Sequence, residues 1–293
     1  MKTIIRTYFT IVSSLFSKLA AKQAMLLFQT PRRVRLKKNE VTFFETSHNF
    51  KVPYYLEDID CYELGDSNGK LVLLVHGWDS NAGSLAGIAQ DLANKGYLVV
   101  TFNLPAHGFS KLKRTNLKFC REAFQAVLDY INPSEKFSVV AHSFGSAVTT
   151  FSLSNSRYKA DKLVFLTNPN KISNIFYDFK NFIGLGKLSY QYLLEDVKNM
   201  LGEPVDKISI EDYSKQVKYN QLLLIHDYYD KVLPYQNSVD VRSKWQRSEM
   251  ITFHKIGHYR MLWNEEVIQS IIDFLATKTI NINSEMNVNS MVS

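Results

Sequence analysis

Short apolar runs alternate with helical patterns over most of the chain, and this alternation constrains the fold more than any other feature. Four of the runs are continuous and rich in Val, Leu and Ile: LVLLV at 71–75, YLVVTF at 97–102, FSVVA at 137–141 and LLLI at 222–225. Such runs are typical of strands that are buried on both faces of a parallel sheet. Because helical patterns separate them, we predict a doubly wound, mostly parallel α/β sheet.

The predicted elements follow one another from residue 41 onward. We predict strands at 41–46, 51–56, 59–64, 70–76, 97–102, 137–142, 162–167, 221–226 and 249–254, and helices at 83–95, 116–131, 144–157 and 265–277. The first three strands are close in sequence, which predicts hairpins at the edge of the sheet. The β/α order stops between residues 169 and 217, where a helical, aromatic stretch is typical of a cap inserted into such a fold.

These patterns divide the chain into three parts. We predict a basic amphipathic helix and arm at residues 1–40 and an α/β domain at 41–278 with its helical cap at about 169–217. The last 15 residues, 279–293, are rich in Asn, Ser and Met and show no periodicity, so we expect a flexible tail.

The net charge of +7 belongs to the N-terminal arm. Residues 1–38 hold nine of the 35 Lys and Arg residues and none of the 28 Asp and Glu residues, so the rest of the chain is slightly acidic. This distribution argues against a nucleic-acid groove built into the fold, and we expect no nucleic-acid partner. From Ile4 to Phe28 apolar residues recur mostly every three or four positions, which predicts an amphipathic helix. The pattern leaves two alternatives open: a helix that packs on the domain, and one that makes weak contact with a membrane surface through residues 1–38.

Several kinds of site and location are disfavoured by the sequence. It contains no uninterrupted run of about 18 apolar residues, so we predict no spanning helix. Cys61 and Cys120 are far apart and belong to no CxxC pair, so we expect free, partly buried thiols and no metal site. We expect a cytoplasmic protein, with membrane-peripheral association and a weak targeting signal left open.

The pentapeptide Ala141-His142-Ser143-Phe144-Gly145 lies where the predicted strand 137–142 turns into the next helix. A serine held on such a tight turn needs small residues two positions before and two positions after it, because the backbone folds closely there. Ala141 and Gly145 meet that requirement. We therefore interpret Ser143 as a candidate nucleophile.

Two later loops contain an acid and a base that would activate a serine. The segment HDYYDKVLP at 226–234 closes one buried strand, and FHKIGH at 253–258 closes the next, so both loops fall at the carboxyl edge of the sheet beside Ser143. A serine hydroxyl becomes a strong nucleophile when a neutral imidazole accepts its proton and a carboxylate orients that imidazole. We assign these roles to His258 and Asp230.

An oxyanion hole needs two backbone N–H groups aimed at one point. We assign one to Phe144, directly after the nucleophile, and the other to Trp78, which follows the strand 70–76 and the small residue Gly77. The remaining histidines near these motifs, His76, His107 and His142, are interpreted as structural hydrogen-bonding residues.

The sequence resembles the α/β-hydrolase superfamily over about residues 50–277. The matching motifs are HGW at 76–78, LPAHGFS at 104–110, AHSFG at 141–145, the spacing of His226, Asp230 and Pro234, and GH at 257–258. The resemblance implies a serine hydrolase that needs neither a metal nor an organic cofactor. It also implies Asp230 as the acid, whereas Asp227 is expected to affect loop geometry. Two positions depart from the family pattern, because Asn103 stands where many relatives carry Asp and Ala141 replaces the first glycine.

We therefore expect an enzyme similar to carboxylesterases and lipases, with the triad Ser143, Asp230 and His258. Its expected reaction is hydrolysis of a carboxylic ester or related acyl bond in a small apolar substrate, through an acyl-enzyme. Three alternatives stay open: acyl transfer to an alcohol by the same triad, a non-catalytic protein of the same fold that binds a ligand, and a membrane-associated adaptor in which the basic N-terminal helix binds a surface without turnover.

Overall fold

The structure is a computed structural model, and it describes residues 2–133 and 136–277. Eight strands form one sheet: β1 (His48–Val52), β2 (Ile59–Gly65), β3 (Leu71–Val75), β4 (Leu98–Phe102), β5 (Phe137–His142), β6 (Ala160–Leu166), β7 (Tyr219–Asp227) and β8 (Ser248–Phe253). Their spatial order is β1-β2-β4-β3-β5-β6-β7-β8. Strands β3 to β8 are parallel, whereas β2 pairs antiparallel with both β1 and β4. The predicted α/β fold class is confirmed.

The helices flank this sheet and extend beyond it. They are α1 (Lys2–Leu15), α2 (Ser17–Phe28), α3 (Lys38–Thr46), α4 (Ala86–Asn94), α5 (Leu117–Ile131), α6 (Phe144–Leu153), α7 (Ile172–Ile183), α8 (Lys187–Leu201), α9 (Gln236–Lys244) and α10 (Glu265–Ala276). Short 3-10 turns occur at Ala82–Leu85, Val205–Lys207, Asp212–Lys215 and Arg260–Trp263. None of the described helices is long and apolar enough to cross a membrane.

The core consists of two apolar layers, one on each face of the sheet. In β3, Leu73 and Val75 belong to the layer that contains residues of α5 and α6, whereas Val72 and Leu74 belong to the layer that contains residues of α4 and α10. Every residue of β3 is buried. Its side chains alternate between two covered faces, which explains why the whole run is apolar.

The predicted strand at 41–46 is wrong, because these residues lie in α3. Glu40, in the first turn of that helix, accepts a hydrogen bond from the backbone N–H of Lys37 at 3.0 Å. The ring of Phe43 is buried against Tyr62 of β2, with 6.0 Å between ring centroids. Burial of this helix face outweighs the strand propensity of Val, Thr and Phe in the segment. The edge hairpin therefore consists of β1 and β2 alone.

The N-terminal segment forms two helices where the sequence predicts one. The chain bends at Phe16, whose φ of −140° is not helical. Helix α1 then packs against α7, and α2 packs against α8. Both partners lie in the insertion between β6 and β7, within the predicted cap region. The predicted flexible tail at 279–293 lies outside the described residues.

Candidate active site

Ser143 occupies the tight turn between β5 and α6. Its φ is 52°, in the left-handed region that residues other than glycine rarely adopt. Gly145 is required two positions later, because a Cβ there would lie 2.4 Å from the carbonyl oxygen of Val75. Ser143 itself is half-buried, and its hydroxyl has no hydrogen-bond partner among the residues that the structure describes. The turn therefore presents a free hydroxyl at the carboxyl edge of the sheet.

His258 and Asp230 form a buried hydrogen-bonded pair. The distance between Nδ1 of His258 and Oδ2 of Asp230 is 2.7 Å, and the two side chains are only 3% and 0% exposed. In this arrangement Nδ1–H donates to the carboxylate, which leaves Nε2 free to accept a proton. The backbone N–H groups of Val232 and Leu233 donate to the other carboxylate oxygen.

The environment of Asp230 keeps its carboxylate ionised. Burial by itself would raise the pKa of Asp230, but the hydrogen bond from His258, the charge of that ring and the two backbone donors outweigh it. Together they hold the pKa of Asp230 below its ordinary value. A carboxylate that stays charged can stabilise an imidazolium at His258.

The nucleophile turn and the histidine loop touch through His142. Its Nε2–H donates to the carbonyl oxygen of His258 at 3.1 Å, and the two rings lie 4.8 Å apart. Because His142 directly precedes Ser143, this contact brings all three predicted triad positions to one edge of the sheet. No hydrogen bond joins Ser143 to His258 within the described parts of the chain, and such bonds are often long before substrate binds.

Asp227 holds the backbone of the histidine loop. Its fully buried carboxylate accepts hydrogen bonds from the N–H groups of Ile256 at 2.5 Å and Gly257 at 2.9 Å, and from Tyr229 at 2.7 Å. The carboxylate does not hydrogen-bond to the ring of His258, which bonds to Asp230 instead. The sequence offers both acids as partners of the His258 ring, and in the structure only Asp230 hydrogen-bonds to that ring.

The loop after β3 lies directly against the nucleophile turn. At Gly77 a Cβ atom would lie 3.1 Å from Cβ of Ser143 and 3.2 Å from Nδ1 of His142, so a larger residue would push the two segments apart. The rings of Trp78 and Phe144 meet edge to face at 5.1 Å. Neither backbone N–H of these two residues donates to a protein acceptor in the described ranges, so both are available to an oxyanion.

The three histidines assigned to structural hydrogen bonding each bond to a backbone group. Nδ1–H of His76 donates to the carbonyl of Gly77 at 2.8 Å, while Nε2 accepts the N–H of Leu104 at 3.1 Å. Nδ1 of His107 bonds to the carbonyl of Pro105 at 2.9 Å, and His142 bonds to His258 as described above. Burial lowers the pKa of His76 to about 3, so this ring stays neutral while it joins two loops of the site.

Ala141 and Asn103, the two residues that depart from the family pattern, both make defined contacts in the structure. Ala141 is fully buried in β5, between Val75 of β3 and Phe165 of β6. At the end of β4, Oδ1 of Asn103 accepts the N–H of Ala82 at 3.0 Å and so joins β4 to the turn before α4. The amide oxygen of Asn103 thus supplies the acceptor at this position.

The N-terminal arm reaches the site, which the sequence does not predict. The ring of Phe28, at the end of α2, lies 6.2 Å from Trp78, 4.5 Å from Phe176 and 5.0 Å from Phe179. Four residues later, the backbone N–H and Nε of Arg32 donate to the carboxylate of Asp79 at 2.6 and 2.8 Å. Asp79 directly follows Trp78. The arm therefore contacts both the ring of Trp78 and the loop that contains the proposed oxyanion donor. No local pattern joins residues this far apart in sequence, so no signal in the sequence would have found them.

The described residues contain neither a cluster of metal ligands nor an exposed cysteine. Within residues 2–133 and 136–277, no group of three or more His, Cys, Asp or Glu side chains lies together as metal ligands would. Cys61 and Cys120 are free and fully buried, and burial raises the pKa of Cys120 to about 12. A thiol held protonated in this way is a poor nucleophile.

Comparisons with solved structures show the same fold at low sequence identity. The Pyrococcus furiosus esterase Pf2001 is 18% identical, with a TM-score of 0.64, over 84% of this chain and 98% of that chain. Est1E from Butyrivibrio proteoclasticus, solved with ferulic acid bound, is 17% identical, with a TM-score of 0.63, over 78% and 100%. A membrane phospholipase A described as a bacterial virulence factor is 16% identical, with a TM-score of 0.61, over 94% and 98%. Among curated proteins none matches the sequence.

A family model described as the alpha/beta hydrolase fold matches residues 70–218 of the chain. The matched part begins beside β3 and ends just before β7, so it contains Trp78 and Ser143, whereas Asp230 and His258 lie beyond it. Those two residues reach the nucleophile turn through the hydrogen bond between His142 and the carbonyl of His258. The extent of the match, together with the fold, shows that this chain belongs to the α/β-hydrolase family.

Proposed function

We propose that the protein is a serine hydrolase that cleaves a carboxylic ester, or a related acyl bond, through an acyl-enzyme. One observation carries the proposal: the 2.7 Å hydrogen bond between His258 and Asp230 lies at the sheet edge where Ser143 adopts its strained turn. An unactivated serine at a strand end would need no buried imidazole and carboxylate beside it. The combination supports a nucleophile, a base and an orienting acid.

In the proposed mechanism, Oγ of Ser143 attacks the carbonyl carbon of the substrate while Nε2 of His258 takes the hydroxyl proton. Asp230 keeps the ring in the required tautomer and stabilises the imidazolium that forms. The negative charge on the carbonyl oxygen is held by the backbone N–H groups of Trp78 and Phe144. His258 then gives its proton to the leaving alcohol, and water activated by the same ring releases the acid.

The surroundings of the site favour an apolar acyl group. Phe144 directly follows the nucleophile and its ring meets that of Trp78, and a cluster of Phe28, Phe176 and Phe179 lies next to Trp78. Aromatic side chains of this kind bind apolar groups through large contact areas. The names of the similar structures, two esterases and a phospholipase, are in keeping with an ester substrate.

Labelling with a fluorophosphonate probe tests the proposal directly. An activated serine displaces fluoride from the probe and forms a stable bond to phosphorus, so we expect rapid labelling of the native protein at Ser143. The Ser143→Ala variant should remain unlabelled. Ser154→Ala, which removes a half-buried hydroxyl at the other end of the same helix, serves as the matched control and should label normally. Labelling of Ser143→Ala at the native rate, or none in the native protein, would contradict the assignment.

A further inference from the structure

The backbone N–H of Trp78 belongs to the same peptide group as the carbonyl of Gly77. That carbonyl accepts Nδ1–H of His76 at 2.8 Å. Because the N–H and the C=O of a trans peptide point in opposite directions, the N–H of Trp78 points away from the ring of His76. His76 thus fixes one side of the peptide group that would supply an oxyanion donor.

Asp79 fixes the chain on the other side of Trp78. Its φ of 57° lies in the left-handed region, which few residues other than glycine adopt. The backbone N–H of Arg32 donates to its Oδ1 at 2.6 Å, and Nε–H of Arg32 donates to its Oδ2 at 2.8 Å. Both carboxylate oxygens are therefore held by one residue of the N-terminal arm.

The contact between Asp79 and Arg32 differs from an ordinary surface ion pair. An exposed pair of charges contributes little to stability, and the side chain of Arg32 is 82% exposed. The carboxylate of Asp79, however, is only 17% exposed, and one of its two bonds comes from a backbone N–H. A backbone donor loses no side-chain freedom when it bonds, so this bond holds the carboxylate even where the guanidinium moves.

The arm around Arg32 is itself anchored to the α/β domain. On one side of Arg32, the carbonyl of Gln29 accepts the N–H of Thr115 at 2.8 Å. On the other side, Nη2 of Arg33 donates to the carbonyl of Leu112 at 3.0 Å. Arg32 therefore has a fixed position from which it holds the loop after β3.

We propose that Arg32 and Asp79 are positioning residues, which hold this loop so that the N–H of Trp78 is aimed at the oxyanion. The inference rests on the proposed function. Arg32 and Asp79 act through the loop and not on the substrate, and the ring of Phe28 against Trp78 adds a second contact from the same arm. A donor of this kind stabilises the transition state more than the bound substrate. Its displacement therefore lowers kcat and leaves KM nearly unchanged.

Steady-state kinetics of single variants on a soluble short-chain ester test the proposal. Asp79→Asn removes the negative charge and keeps a residue that tolerates the left-handed conformation. Arg32→Gln removes the guanidinium and keeps the backbone N–H. The matched controls make the same changes at exposed positions: Arg35→Gln in the same arm and Asp196→Asn in α8.

We expect Asp79→Asn to lower kcat by about tenfold or more, with KM within about twofold of the native value. Arg32→Gln should lower kcat less, because its backbone N–H still donates to residue 79. The double variant should be no slower than Asp79→Asn alone, since both changes disrupt one contact. Both controls should match the native protein. A native kcat in Asp79→Asn would overturn the proposal.

Inhibition by a trifluoromethyl ketone separates a displaced donor from a general loss of structure. Oγ of Ser143 adds to the ketone carbon, the hydroxyl proton passes to His258, and the ketone oxygen becomes an oxyanion. The inhibition constant should therefore rise in Asp79→Asn by about the factor by which kcat falls. An unchanged inhibition constant beside a lower kcat would overturn the proposal. If circular dichroism shows that Asp79→Asn does not fold, the same comparison with Arg32→Gln decides.

The native protein separates this proposal from the proposed function. Native turnover, together with native kcat in every variant, would overturn the positioning role alone. A native protein with neither ester turnover nor sensitivity to the ketone would overturn both the hydrolase proposal and the role of Arg32 and Asp79.

Discussion

The Asp227 carboxylate accepts a hydrogen bond from the backbone N–H of Gly257 at 2.9 Å, and Gly257 is the residue immediately before His258. Three residues after Asp227, Asp230 accepts the ring N–H of His258 itself. Two neighbouring acids therefore position one histidine in different ways. Asp227 holds the backbone of the loop, and Asp230 holds the imidazole.

This division predicts different effects of two similar substitutions. We expect Asp230→Asn to lower kcat by about a thousandfold or more, because an amide disturbs the tautomer that leaves Nε2 free to take a proton. Asp227→Asn should lower kcat far less and instead reduce stability. An amide oxygen cannot satisfy three backbone donors, and leaving one unpaired costs roughly 1–3 kcal/mol. The measurements are kcat on a short-chain ester and urea unfolding of each variant.

The pair acts as its own control, since each substitution changes one carboxylate to an amide in the same loop. If Asp227→Asn proves inactive while folded and Asp230→Asn keeps nearly native turnover, the acid of the triad is Asp227.

Gly77→Ala is expected to lower kcat while the protein stays folded. The added Cβ would lie 3.1 Å from Cβ of Ser143, so the loop that contains Trp78 must shift. Removal of one oxyanion donor costs roughly 100- to 1,000-fold in kcat, and we expect a displaced donor to cost up to that much. Kinetics on a soluble ester and a thermal melt measure the two effects.

Gly96→Ala is the matched control for that variant. Its Cβ would meet nothing within 4 Å, but its φ of 81° disfavours any side chain. We expect a loss of about 1 kcal/mol in stability with kcat unchanged. Equal kcat in both alanine variants and the native protein would argue against Trp78 as a donor.

Phe28→Ala is expected to weaken the use of esters with long apolar acyl groups. The ring of Phe28 lies 6.2 Å from Trp78, so its removal opens the aromatic cluster on one side of the site. We expect kcat/KM to fall several-fold for a longer acyl chain and little for an acetyl ester, since burial of each CH₂ is worth about 0.8 kcal/mol. Leu27→Ala, at the exposed neighbouring position, should match the native protein on both esters. The same decrease for both substrates would indicate a general loss of structure.

The buried histidines predict how stability depends on pH. Burial lowers the pKa of His76 and His142 to about 3 and that of His107 to about 4. In the unfolded chain a histidine titrates near 6.5, so below that pH the unfolded protein binds more protons than the folded one. The free energy of unfolding therefore has its full value above about pH 6.5, and it decreases as the pH falls from there toward 4.

The expected slope is about 1.4 kcal/mol per pH unit for each histidine that takes up a proton only on unfolding. Urea unfolding followed by circular dichroism at several pH values between about 5 and 8 measures it. A free energy of unfolding that is constant over this range would contradict the neutral state of the three rings.

Much of the sheet and part of the site could be predicted from local sequence. A strand covered on both faces must be apolar at every position. The runs LVLLV of β3 and LLLI of β7 can therefore be predicted as buried strands from local sequence alone. The turn at Ser143 was predictable for a similar reason, because its close backbone approach requires small residues at Ala141 and Gly145. The helix at 41–46 could not be predicted in this way, since it depends on burial of Phe43 against Tyr62, a residue of another element.

The N-terminal helices show most clearly what the sequence determined and what only the tertiary structure decided. The sequence determined that residues 4–28 are helical and amphipathic, because that periodicity belongs to the segment itself. Only the packing of α1 on α7 decided that Phe9 turns inward and Ile4 outward. The contacts of Phe28 with Trp78 and of Arg32 with Asp79 were likewise decided by the fold, because they join residues about fifty positions apart whose local patterns are independent.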